Sequence, residues 1–137
     1  MVQPEIIRRR LTYFDEYLKI LRGLQRYSRE EFLAEPERYG SAERFLQLAL
    51  ECLLDLGAHV VADEELGTIE VARDIPELLH GRDLLTREQT DLWIRMIGFR
   101  NILVHDYTRL DREVVWTVLH EKLDDLAEFR LVFARFL

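Results

Sequence analysis

Apolar residues recur at helical spacing along almost the whole of this 137-residue sequence, and this periodicity limits the possible folds more than any other feature. Alternating apolar and polar runs, which would indicate strands, are nearly absent. Within residues 4–26 the spacing of apolar residues alternates between four and three: Ile7, Leu11, Phe14, Leu18 and Leu21. Such a stripe is typical of a helix that buries one face. We therefore expect an all-α chain, and its length suits one domain over residues 1–137.

The segment from about Ser41 to Glu65 is apolar on most of its circumference. Its polar residues recur every four positions and form one narrow line: Gln47, Glu51, Asp55 and His59. A helix with this pattern is packed on two or more sides, so it is either central in a bundle or part of a subunit interface. No apolar run is expected to reach membrane-spanning length, and no membrane partner is predicted.

Local signals set the limits of the early helices. A first helix is expected from Pro4 to about Arg26, because proline suits the first turn. Ser28 followed by Glu31 has the spacing of a capping box, which would open a short second helix. The dipeptide Glu35-Pro36 is expected to end that piece, since the residue before a proline disfavours helical geometry.

Similar signals organise the second half of the chain. Residues 66–85 are expected to be irregular with one helical turn. Thr86 and Gln89 have the spacing of a second capping box, and the helix that begins there is expected to end near His105. Asp111 is a suitable cap for the last helix. That helix is expected to turn these residues inward: Val115, Val118, Leu119, Leu123, Leu126, Phe129, Phe133 and Phe136. The predicted fold is an antiparallel up-and-down bundle of four to five helices.

The formal net charge of −7 counts against tight binding of bulk nucleic acid, but the charge is unevenly distributed. Residues 1–29 hold seven Arg and Lys against three acids, whereas residues 30–80 hold three against thirteen. Residues 95–112 hold four Arg against two acids. We therefore expect a polyanionic partner to meet the first helix and residues 95–112 rather than the middle of the chain.

Cysteine use and the N-terminal composition predict a cytoplasmic protein. The first residues lack the apolar stretch and small-residue cleavage site of a signal peptide. The single cysteine, Cys52, has no partner for an internal disulfide and lies in an apolar row, so we expect it in the core.

Glu77 and His80 have the Glu-x-x-His spacing of di-iron bundles, but such sites need two copies and two further glutamates. We predict no metal site and no cofactor.

The residues with the greatest chemical potential lie between positions 93 and 107. Arg100 falls in a line of otherwise apolar residues: Trp93, Ile97 and Val104. Because burying an unpaired guanidinium is costly, Arg100 must be paired with an acid or face a wet cleft. His105 follows at the expected helix end, and Tyr107 lies just beyond it. Positions 100 and 105 differ by about 140° around a helix, so the two side chains diverge and a second copy across a dimer axis would help them converge.

Arg100-Asn101, followed by His105 and Tyr107, resembles the Arg-x4-His-x-Tyr motif of HEPN ribonuclease toxins of the HepT kind. The start of the long helix, Tyr39-Gly-Ser-Ala-Glu-Arg, and the order of elements are also similar to that family. The resemblance implies a HEPN-like helical fold and a toxin that cleaves RNA without metal. It also implies a homodimer with two sites facing one cleft, and a cognate minimal nucleotidyltransferase antitoxin that transfers AMP to Tyr107.

The residue types suit that chemistry. Metal-free RNA cleavage uses the ribose 2′-OH as nucleophile and needs a group that titrates near neutral pH, which His105 supplies. It also needs a fixed cation for the charge on the transition state, which Arg100 supplies through its planar fork. Asn101 would position a phosphate or His105. Asp55 would orient His59 or His105 by hydrogen bonding if the polar line of the long helix faces the cleft.

Each assignment has a structural alternative. Arg100 would simply pair with an acid in the core, and His105 would complement the helix dipole. Tyr107 would be an aromatic residue closing the rim of the bundle. The polar line that includes Asp55 and His59 would be a solvated strip. At the level of function, the alternative is a non-catalytic helical module that binds a nucleotide or docks on a nucleotidyltransferase.

Overall fold

The computed structural model describes residues 2–137, and within them it contains helices, one 3₁₀ turn and no strand. The helices are α1 Pro4–Leu24, α2 Arg29–Ala34, α3 Pro36–Asp63, α4 Asp74–Gly81, α5 Arg87–His105, α6 Arg112–Glu121 and α7 Leu123–Ala134. The 3₁₀ turn Tyr107–Arg109 lies between α5 and α6. The predicted all-α architecture is confirmed.

Helix α3 is the central element of the bundle. It packs against α1, α2, α4, α5 and α6, so its broad apolar surface is covered within the chain. The expectation that no segment reaches membrane-spanning length was wrong. Helix α3 has 28 residues and a window of mean hydropathy 1.5, which would suffice by length and composition. Of that window, however, 56% is buried inside the bundle, as in the core helix of a soluble protein.

The sequence signals placed the helix starts well, with one exception. Both capping boxes form, at Ser28 and at Thr86, and Asp111 accepts a hydrogen bond from the Glu113 N–H at the start of α6. Helix α3 begins at Pro36 rather than near Ser41. The reason is that a proline which ends one helix also suits the first turn of the next, where its missing N–H costs nothing.

The second half of the chain contains more helices than expected. The expected single turn is helix α4, with Ile75, Pro76 and Leu79 buried. The expected last helix is divided at Lys122 into α6 and α7. The apolar spacing continues across this break, since Leu119 and Leu123 are both buried on either side of it. An apolar pattern therefore indicated the buried face correctly without revealing the bend.

Helix α5 is fixed in the bundle by Trp93. The Trp93 ring is almost fully buried and meets the rings of Phe129 and Phe133 on α7 at centroid distances of 5.2 and 6.0 Å. On its other side, Trp93 lies against Gly57 of α3. Large aromatic rings bury much area and have few rotamers, so this contact sets the rotation of α5. The C-terminal half of α5, which carries Arg100 and His105, is therefore held at a defined angle against α3.

Candidate functional site

Helix α5 presents its motif residues on different sides. Arg100 points toward α3, where its side chain is only 15% exposed. His105 is the last residue of α5 and is exposed to solvent, as is Asn101. The divergence expected from helical geometry therefore holds: within one chain, the guanidinium lies at the α3–α5 contact and the imidazole at the outer helix end.

Arg100 is withdrawn from water without being fully paired. Its Nε lies 3.7 Å from Glu51 Oε1, within ion-pair range but beyond hydrogen-bond distance. The Nε atom is buried and has no hydrogen-bond partner. An arginine carries five N–H donors in a fixed fork, and a buried donor without a partner costs free energy. The Arg100 Nε therefore keeps a donor that no described residue satisfies.

The polar line of α3 is a series of contacts with neighbouring segments. Glu51 faces Arg100, and Asp55 accepts a hydrogen bond of 2.9 Å from Arg10 of α1. His59 Nε2 lies 3.5 Å from Asp63 and accepts a bond of 3.3 Å from the Gln3 backbone N–H. The expected orientation of His59 or His105 by Asp55 is not what the structure contains, because the Asp55 carboxylate is directed to Arg10 across the α1–α3 contact. Asp55 and His59 hold the N-terminus of α1 on α3.

Tyr107 makes a short hydrogen bond to a buried residue of α3. It opens the 3₁₀ turn after α5, and its hydroxyl donates a hydrogen bond of 2.6 Å to Glu43 Oε1 of α3. Glu43 is only 6% exposed, and its second oxygen, Oε2, is buried without a hydrogen-bond partner. Arg112 of α6 lies 3.7 Å from that oxygen and stacks over the Tyr39 ring at 4.1 Å. Three elements thus converge on one buried carboxylate.

The electrostatics of this group keep the phenol neutral. The hydrogen bond to the Glu43 carboxylate raises the pKa of Tyr107, because a nearby anion disfavours the phenolate. Burial adds to the rise, and Arg112 acts in the opposite direction. Tyr27 provides a contrast, since its hydroxyl accepts a hydrogen bond from Arg26, which lowers its pKa.

A cavity of about 250 Å³ opens beside the Tyr107 hydroxyl. Its lining contains both partners of the short hydrogen bond and one exposed cation: Gly40, Glu43, Arg44, Gln47, Leu103 and Tyr107. Although Glu43 is buried, Tyr107 remains 52% exposed, so the ring is accessible from solvent. The cavity gives a small ligand access to the phenol and its carboxylate partner.

Two residues of this cluster, Glu43 and Arg112, were not singled out from the sequence. A signal for Glu43 was available, because it stands one helical turn before Leu46, within the buried face of α3. An acid in an apolar row needs a buried partner. No comparable signal existed for Arg112, which meets Glu43 only through the packing of α6 on α3.

The remaining sequence candidates have ordinary structural surroundings. His80 Nδ1 lies 2.9 Å from the Leu85 carbonyl, and Glu77 lies 3.6 Å from Arg87. Within residues 2–137, no group of three or more His, Cys, Asp or Glu is arranged to hold a metal ion. Cys52 is buried as expected, and burial raises the pKa of its thiol to about 11.

Relatives of the chain are nucleases. The mRNA nuclease HepT of Shewanella oneidensis is 34% identical over 84 residues, which cover 61% of this chain and 63% of that protein, less than two thirds of its length. The tRNA nuclease HepT of Aphanizomenon flos-aquae is 27% identical over 118 residues, covering 86% of this chain and 80% of that protein.

The fold has solved counterparts. A tri-AMPylated HEPN toxin of Shewanella oneidensis, in complex with MNT antitoxin, matches 95% of this chain with a TM-score of 0.88 and 27% identity, over 97% of its own length. The model of the ribonuclease HepT-like family matches residues 14–132, which are most of the sequence. The chain therefore belongs to the ribonuclease HepT-like family.

Proposed function

We propose that this protein is the toxin of a toxin–antitoxin pair and acts as a metal-independent endoribonuclease. The observation that carries the proposal is the buried Arg100 Nε without a hydrogen-bond partner, in a chain of the ribonuclease HepT-like family. An RNA phosphate would supply the missing acceptor and would replace the loose contact with Glu51. The location is cytoplasmic, where RNA is available and where the single thiol stays reduced.

The two motif residues divide the chemistry. His105 takes the proton of the ribose 2′-OH, whose oxygen attacks the adjacent phosphorus while the 5′ oxygen leaves with a proton from water. Arg100 binds the non-bridging oxygens and stabilises the charge that grows on them in the transition state. Asn101, exposed one residue beyond Arg100, orients the phosphate or His105. The products are a 2′,3′-cyclic phosphate and a free 5′-hydroxyl.

A homodimer brings His105 of one copy to Arg100 of the other. The outer face of α5 carries Gly98, Asn101 and His105, all exposed, with Ile94 and Ile102 half-buried beside them. A Cβ added at Gly98 would meet no atom within 4 Å, so this position leaves room for a second helix. Since α3 is covered within its own chain, the interface is formed mainly by α5. Pairing two copies of α5 brings both His105 side chains to one cleft.

The partner that controls the toxin is a minimal nucleotidyltransferase antitoxin, and Tyr107 is the residue to which it adds AMP. Tyr107 is 52% exposed, lies two residues from His105 and adjoins a cavity. A nucleotide phosphate attached there places negative charge and bulk where the RNA phosphate must lie. Modified protein would therefore lose RNA cleavage.

The deciding experiment compares purified, antitoxin-free protein with Arg100→Ala and His105→Ala on RNA in the presence of excess EDTA. Each substitution is expected to lower cleavage by at least about 100-fold, since each removes a group used in the transition state. Arg95→Ala is the matched control, because Arg95 is an exposed arginine of the same helix. Products should end in a 2′,3′-cyclic phosphate.

Two results would reject the proposal. Cleavage by His105→Ala at the wild-type rate would place the active site elsewhere. Wild-type protein without cleavage, but with AMP or ATP bound tightly, would favour a non-catalytic nucleotide-binding or docking module instead.

A further inference from the structure

We propose that Glu43 is the general base for nucleotide transfer to Tyr107, so that the toxin chain supplies part of the chemistry of its own modification. The inference rests on the proposed function, in which Tyr107 receives AMP. It assigns a catalytic role to a residue of α3 that lies outside the Arg-x4-His-x-Tyr motif.

The geometry is that of a nucleophile and its base. The Tyr107 hydroxyl already donates its proton toward Glu43 Oε1 at 2.6 Å, a distance typical of a charge-assisted hydrogen bond. A phenol is a weak nucleophile until its proton is removed, and a carboxylate within hydrogen-bond reach can accept that proton. The raised pKa of Tyr107 leaves little phenolate at neutral pH, so transfer without a base would be slow.

The surroundings of Glu43 make it able to accept a proton. Its Oε2 is buried and has no hydrogen-bond partner, so the charged carboxylate is incompletely solvated. Arg112 of α6 lies 3.7 Å from Oε2, within ion-pair range but beyond hydrogen-bond distance. On α3 itself, Arg44 lines the same cavity, where it can meet a phosphate of the incoming nucleotide. Base, nucleophile and cation thus border one cavity of about 250 Å³.

The step balances with ATP as the donor, which the nucleotidyltransferase brings. The Tyr107 oxygen forms a bond to the α-phosphorus while the bond from that phosphorus to the bridging oxygen of pyrophosphate breaks. Pyrophosphate leaves with the bonding electron pair. The phenolic proton passes to Glu43 Oε1 and is then released to water through the cavity.

The test uses the full-length chain as acceptor for the cognate nucleotidyltransferase, with Mg²⁺ and ATP labelled at the α-phosphate. Initial rates of label incorporation are measured from pH 6 to 9.5 for wild type, Glu43→Gln, Glu43→Asp and Tyr107→Phe. Glu37→Gln is the matched control, since it makes the same change at an exposed position of the same helix. Circular dichroism checks that each variant is folded.

At pH 7 Glu43→Gln is expected to be labelled at least about 100-fold more slowly than wild type, which is the usual contribution of a general base. Its rate should rise about tenfold per pH unit, because hydroxide then replaces the missing base. Wild type has its own base, so its rate should change little with pH, and Glu37→Gln should match it. Glu43→Asp, which keeps a carboxylate, should retain this flat pH profile at a lower rate.

Three outcomes would overturn the assignment. Equal or faster labelling of Glu43→Gln would mean that the hydrogen bond is irrelevant or protects Tyr107. A slow Glu43→Gln with the wild-type pH profile would reduce Glu43 to a positioning residue. Labelling of Tyr107→Phe at the wild-type level would remove Tyr107 as acceptor, and this failure of the proposed function is distinct from failure of Glu43 alone.

Discussion

Among residues 2–137, two buried side-chain atoms lack a hydrogen-bond partner, and both belong to residues of the candidate sites. They are Arg100 Nε on α5 and Glu43 Oε2 on α3. Buried polar groups are nearly always satisfied, so a fold that leaves two unsatisfied accepts a cost in stability. Each atom has an opposite charge at 3.7 Å, too far for a hydrogen bond. Each atom therefore keeps a hydrogen-bonding capacity that the described residues do not use.

Replacement of Arg100 by methionine tests this interpretation through stability. If Arg100 binds the RNA phosphate and does not stabilise the fold, Arg100→Met should leave the free energy of unfolding unchanged or raise it by up to about 2 kcal/mol. The reason is that an apolar side chain of similar size removes the unsatisfied donor. RNA cleavage should nevertheless be lost. Urea unfolding measures the first effect, and Arg10→Met, which removes an exposed ion pair with Asp55, is the control. Destabilisation beyond about 2 kcal/mol would mean that Arg100 is structural.

Cys52 should be unreactive in the folded protein. Its thiol is buried, and a pKa of about 11 keeps it protonated at pH 7–8, where a pKa near 9 would leave about 100-fold more thiolate. Labelling by a disulfide reagent at pH 8 should therefore be slow and should speed up when urea unfolds the chain. Rapid labelling of native protein, at the rate of free cysteine, would show that the α3 core opens readily.

At the level of elements, the contact of α3 with α4 and α5 depends on one glycine. A Cβ at Gly57 would overlap the side chain of Ile75 of α4 and would lie 3.1 Å from Trp93 of α5. These neighbours are packed in the core and cannot both move away freely. The missing side chain therefore allows the close approach that sets the position of α5 on α3.

Gly57→Ala should destabilise the protein by about 1–3 kcal/mol, the usual cost of overpacking a core. Gly23→Ala is the matched control, because Gly23 also lies in a helix but a Cβ there meets no atom within 4 Å. Within a helix this change stabilises by up to about 1 kcal/mol, and less in the last turn, where Gly23 lies. Thermal unfolding of both variants provides the comparison. Equal stability of Gly57→Ala and wild type would show that α4 and α5 adjust without cost.

The elements differ in how far the sequence could predict them. Helix starts were readable because Ser28, Thr86 and Asp111 form their caps from residues close in sequence. The bend at Lys122 was not readable, because the buried face of α6 continues directly into α7. The motif residues Arg100 and His105 were predicted from their resemblance to a family motif that is contiguous in sequence. The Glu43–Tyr107 bond joins residues 64 positions apart, so it depends on packing that no local pattern contains.

At the scale of the whole molecule, one chain holds half of the proposed ribonuclease site. Arg100 lies at the α3–α5 contact, whereas His105 is exposed at the end of α5. An isolated chain therefore offers a phosphate either the guanidinium or the imidazole at close range. Two chains paired along α5, at the opening left by Gly98, would offer both from opposite sides. The proposed activity then belongs to the dimer.

A mixing experiment tests the shared site directly. Arg100→Ala and His105→Ala are each expected to be inactive, yet a dimer of one copy of each retains one guanidinium and one imidazole across the axis. Co-refolding the two variants should restore cleavage well above the sum of the separate activities. Light scattering should give twice the 16.4 kDa chain mass for each sample. Gly98→Arg, which fills the opening between the paired helices, should yield monomers without activity. Dimers of the expected mass with no recovery of cleavage would instead place Arg100 and His105 of the same chain in one site, brought together by movement of α5 when RNA binds.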